Sequence, residues 1–168
     1  LREGPRLLAG LRPRPKLPAP APAVLNPQGL TDGRAELIRR VLSGAEADLA
    51  RLETAATRTA DPEGALVLGR LAALGRRIVR GIAAKPQRFE AAQRLLTHHL
   101  DRAAFLGGLI SAEPAPDRDK LADVLRVLGR MEMLFLQVET EIAGGDGRDL
   151  DLELKVIDQA LDEDIRRR

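Results

Sequence analysis

Apolar residues in this chain recur at alternating steps of four and three, as in Ile38, Leu42, Ala45, Leu49, Leu52 and Ala56. Only a helix of 3.6 residues per turn gathers such a series onto one face. The spacing returns in Val67, Leu71, Leu74, Ile78 and Ile82, then in Phe89, Ala92, Leu96, His99 or Leu100, Ala103, Leu106 and Ile110. It returns again in Leu121, Val124, Leu128, Met131, Phe135, Val138 and Ile142, and finally in Leu154, Ile157, Leu161 and Ile165. A helix with one apolar stripe must bury it against another element. Alternation with period two is confined to Leu150-Asp151-Leu152-Glu153-Leu154, too short and too acidic to carry a sheet. The chain is therefore expected to be all-α, an elongated antiparallel bundle of four to five long amphipathic helices.

Local signals place the helices at about 31–57, 62–84, 86–111, 117–143 and 150–166. Thr31 or Asp32 can cap the first. Asp61-Pro62-Glu63 supplies a cap, a first-turn proline and an acidic residue for the second. Lys85-Pro86 breaks or kinks the chain, Pro114-Ala115-Pro116 ends the third helix, and Asp117 can cap the fourth. Gly107-Gly108 should weaken the third helix's last turns, and Gly144-Gly145-Asp146-Gly147 reads as a hinge. Helices of this size would be roughly 36–42 Å long at 1.5 Å per residue. The heptad-like stripes of the first two could also pair between chains as a coiled coil, which makes a dimer a serious expectation.

Ahead of the helices, Pro5, Pro13, Pro15, Pro18, Pro20, Pro22 and Pro27 alternate with Arg6, Arg12, Arg14 and Lys16. Proline at this density removes backbone donors and favours extended polyproline II, so residues 1–30 read as a disordered basic linker outside the core. The chain begins at Leu1, in linker-like sequence, and the expectation is that an anchor or signal precedes it.

Composition narrows the function classes. The chain has no Cys, Trp or Tyr, which removes thiolate nucleophiles and Cys-ligated metals and leaves Phe89, Phe105 and Phe135 as the aromatics. Residues 1–90 hold 16 Lys+Arg against 9 Asp+Glu, a net of +7, while residues 91–168 hold 11 against 16, a net of −5. The two halves can attract each other, or the basic half an anionic surface. Scattered basic residues, interleaved carboxylates and scarce stacking aromatics argue against a nucleic-acid partner. No stretch approaches the roughly 18 apolar residues of a membrane span.

Little catalytic chemistry is visible. His98 and His99 are the only histidines; adjacent on a helix, they point about 100° apart and cannot ligate one metal as an i,i+4 pair. They are the weak catalytic candidates, one ring expected half-buried and the other solvated. Asp146, Asp149 and Asp151 are weak candidates for a hard cation, lacking the spacing of an EF-hand and better suited to capping the last helix. No phosphate loop, nucleophile elbow or cofactor motif is present, so no cofactor is expected.

Two segments resemble a known family. Arg94-Leu95-Leu96-Thr97-His98-His99-Leu100-Asp101 sits where the 5-bromo-4-chloroindolyl phosphate hydrolysis family, also called XpaC-like, carries an aromatic Phe-Leu-x-Tyr-Tyr-Leu-Pro signature. Asp149-Leu150-Asp151-Leu152-Glu153-Leu154-Lys155-Val156-Ile157-Asp158-Gln159-Ala160-Leu161 is similar to the acidic, leucine-spaced segment that closes those proteins. His98-His99 replaces the tyrosine pair and Asp101 the proline; the similarity covers roughly 75–165. The resemblance implies a helical, membrane-associated bacterial protein partnered with toxic-anion (tellurite) resistance proteins, with no catalytic residues to carry over. It leads to the expectation of a non-enzymatic interaction or scaffold domain, packing against a partner or itself at the cytoplasmic face of the membrane, tethered by a segment ahead of the leader. Two alternatives stand beside it: a phosphoester hydrolase using His98 or His99 with the acidic C-terminal segment, and an anionic-lipid-binding domain.

Overall fold

The first four stripes become helices close to the expected places in a computed structural model that describes residues 21–144, 157–163 and 166; Leu154, Ile165 and the expected start of the fifth helix lie outside the described residues. Helix α1 spans Asp32–Arg58, with the Thr31 side chain accepting from the backbone N–H of Arg34. Helix α2 spans Pro62–Ala84, and Asp61 accepts from the N–H of Gly64 at 2.6 Å. A 3₁₀ turn at Pro86–Arg88 leads into α3, Phe89–Arg94, then a π-turn at Leu95–His99 and α4, Leu100–Ile110. These pieces form one interrupted third helix. Helix α5 spans Arg118–Gly144, its start held by Asp117, which accepts from the N–H of Lys120 at 2.8 Å. Residues 157–163 are helical again, and no strand occurs among the described residues.

Consecutive helices reverse direction, as an antiparallel bundle requires. Side-chain register shows which pairs run together: Arg70 meets Glu132 and Arg77 meets Glu139, so α2 and α5 are parallel. Arg34 with Glu90 and Arg51 with Asp101 make α1 parallel to the third helix. The stripes of α1 and α2 face this shared interior, where Ile38, Leu49, Leu52, Leu68, Leu71, Ile78 and Ile82 are fully buried. The surfaces that suggested coiled-coil pairing between chains are therefore occupied within one chain.

Three local differences from the sequence reading have physical causes. Gly107 does not loosen the third helix, because a side chain there would sit 3.1 Å from Leu68 and 3.2 Å from Ala55; glycine lets three helices meet. The third helix is not regular, since the π-turn adds a residue to one turn and Leu100 donates its N–H to the carbonyl of Leu95. Finally, residues 23–30 are not free linker. Leu25 joins the core, Asn26 donates to the carbonyl of Ala83 at 2.8 Å, and Pro27–Leu30 closes a turn with Gly29 at φ +78°.

Candidate functional site

The π-turn sets the geometry around the two histidines. Leu95, Leu96, His99 and Leu100 lie on one face along the π-turn and are buried together. His98 is left exposed. The expected division into a half-buried and a solvated ring is thus sharper in fact, because His99 has 0% exposure.

His99 faces the C-terminal segment. Its Nε2 lies 3.0 Å from Oδ1 of Asp158, whose other oxygen takes Nη2 of Arg94 at 2.5 Å. One turn further along each element, Arg102 donates to Asp162 at 2.8 Å, and Leu161 inserts into the core between the two acids. The ring N–H does not point along the line to Asp158, so the two groups interact as dipole and charge rather than through an aligned hydrogen bond. Nδ1 has no hydrogen-bond partner among the described residues. Burial pushes the His99 pKa below its ordinary value; Asp158 opposes the shift, while Arg102, Arg94 and His98 reinforce it. The shift favours the neutral ring.

Chemically the arrangement is a buried imidazole–carboxylate contact whose carboxylate is also held by Arg94, with the Arg102–Asp162 pair one turn away. It has a base and an orienting acid but no nucleophile among the described residues: the adjacent hydroxyl, Thr97, is exposed and donates to the carbonyl of Gln93 at 2.8 Å. Asp101, next along the helix, turns away to Arg51 at 2.9 Å. Asp146, Asp149 and Asp151 lie outside the described residues. Among the described residues no three His, Cys, Asp or Glu side chains gather closely enough to hold a metal ion. Asp158 and Asp162 escaped residue-by-residue attention in the sequence. Their signal was an i,i+4 acidic pair, which meets Arg94 and Arg102 on the third helix.

A second feature lies on the opposite flank of α4. A groove of about 490 Å³ runs between α1 and α4, floored by Ala50, Ala104 and Gly108, with Phe105 and Arg58 at its edge. Phe105 is 60% exposed.

A profile of the family described as 5-bromo-4-chloroindolyl phosphate hydrolysis proteins matches residues 18–157. The chain belongs to that family. The match takes in α1, the first part of α2 and the packed end of the leader, which the sequence resemblance over roughly 75–165 had not reached, and it stops short of Leu161. No curated protein and no solved structure matches the chain significantly.

Proposed function

We propose that this member of the family is a helical interaction domain and not a hydrolase. The observation that carries the reading is the complete burial of His99: a substrate phosphate has no path to a ring with 0% exposure while residues 157–163 cover it. Burial also disfavours the imidazolium form that leaving-group protonation would require. The partner is a second protein or a second copy, and the family resemblance points to proteins of toxic-anion (tellurite) stress. The leader's Arg12, Arg14 and Lys16 suit a tether beside an anionic membrane surface on the cytoplasmic side. No helix among the described residues is long and apolar enough to cross a membrane.

The hydrolase reading has one observation in its favour, the 3.0 Å approach of His99 to Asp158. Purified chain incubated with 5-bromo-4-chloroindolyl phosphate, alone and with Mg²⁺, Mn²⁺ or Zn²⁺, is expected to show no turnover above buffer. Turnover abolished by His99→Gln, in a variant that keeps its helical circular dichroism, would overturn the interaction reading.

A further inference from the structure

The groove between α1 and α4 holds, on one face, both halves of a self-complementary contact. The hollow comes from small side chains, Ala50, Ala104 and Gly108; a Cβ built on Gly108 meets nothing within 4 Å. The projection beside it is Phe105, 60% exposed in a chain whose other two phenylalanines are fully buried. Placing an aromatic ring in water beside an unfilled apolar hollow forgoes burial that a partner surface could supply.

Charge is divided along the same face. At one end the exposed Arg58 takes part in none of the ion pairs formed among the described residues. At the other end Arg51 sits between Asp48 at 3.1 Å and Asp101 at 2.9 Å, so two carboxylates share one guanidinium. Asp101 is 63% exposed, and the Asp48 pKa is raised, first by burial and further by Asp101. One end thus carries surplus positive charge and the other surplus negative charge.

We infer that this face is a twofold interface with a second copy of the chain, Phe105 of each seated in the other's Ala50–Ala104–Gly108 hollow and Arg58 of each against the other's Asp101. A twofold axis reverses the face, which brings each charged end onto its opposite and each ring onto a hollow. Two copies of a face with one sign of charge would repel; this one carries both signs in the order the axis needs. The exposed ion pairs set orientation, and the buried rings supply most of the attraction. This rests on the reading of the chain as an interaction domain and names the surface it uses.

Sedimentation equilibrium of the full chain tests it. A concentration-dependent dimer is expected, and Gly108→Leu, which fills the hollow, should weaken dimerisation by about tenfold or more. Gly129→Leu, equally open but on α5, should leave it unchanged and reports on folding. Arg58→Glu and Asp101→Lys should each weaken self-association, and an equimolar mixture of the two should restore it, because both contacts across the axis then join opposite charges. A chain that stays monomeric, or a dimer indifferent to Gly108→Leu, overturns the interface, as does a mixture of the charge variants that fails to associate. Those outcomes leave the interaction reading standing with another partner, whereas phosphate turnover overturns that reading and leaves a measured dimer in place.

Discussion

Helix α2 and the third helix are both central to the bundle, yet they are closed in different ways. Between α2 and α5 Arg70 and Arg77, both largely exposed, each take a glutamate of α5 with two nitrogens at the edge of the seam. Between the third helix and residues 157–163 the charge lies underneath: His99 is completely buried against Asp158, beside Arg94 and Arg102. Moving an ionisable group from edge to interior changes its energetics, since a buried polar group must be satisfied or remain neutral. The first seam is built to hold. The second is built of contacts that respond to pH and that a short segment makes at its own expense in entropy.

The largest expected effect separates the two directly. Leu71, fully buried on α2, should cost about 2–5 kcal/mol when replaced by alanine, seen as a lower urea midpoint for the whole helical signal. Leu161→Ala removes an equally buried leucine, 1% exposed, from the C-terminal segment. It should leave the global midpoint nearly unchanged while amide protons of residues 157–163 exchange faster. Equal losses of global stability from the two substitutions would show that the segment is part of one cooperative unit and remove the distinction.

How legible this was in the sequence follows the same division. Thr31, Asp61 and Asp117 act on backbone groups three residues away, so the helix starts could be read locally. The stripes were readable because a fixed period carries them. The π-turn was not: Leu95, Leu96, His99 and Leu100 are all compatible with a regular helix, and only packing from two sides selects the extra residue. Leu25 was hidden by the prolines around it, although its burial depends on the groove it meets rather than on its neighbours in sequence. His98 and His99 stand out as the chain's histidines, but Asp158 lies 59 positions beyond His99, and adjacency in sequence does not report such a partner. The groove beside Phe105 is made from alanines and glycine, residue types that carry no signal of their own.

A smaller effect tests the buried charge. The His99 pKa in the folded chain lies below its ordinary value, so on acidification the unfolded chain takes the proton first. Stability is complete above the ordinary histidine range, about pH 6.5, and declines as pH falls from there toward the lowered folded value. His99→Leu keeps the volume, removes the titrating ring and leaves Asp158 to Arg94. Thermal melts at about pH 7.5 and about pH 5.5 should differ less for this variant than for the parent, by on the order of 1 kcal/mol. Parallel pH profiles for the two chains would mean that His99 is not protonated on unfolding in that range.

The smallest effect belongs to the edge of the α2–α5 seam. Arg77 and Glu139 make two contacts, at 2.6 and 3.2 Å, but their side chains are 52% and 30% exposed, and water competes for both. A double-mutant cycle of Arg77→Ala and Glu139→Ala should give a coupling of about 0.2–1 kcal/mol that shrinks in high salt. The same cycle on Arg94 and Asp158, whose carboxylate is 16% exposed, should give a larger coupling and a weaker salt dependence. Salt screens the exposed pair because ions reach both partners; it acts little on a carboxylate that His99 and Arg94 already enclose. If the two couplings fall equally with salt, Asp158 is as wet as Glu139, and residues 157–163 spend much of their time away from the third helix.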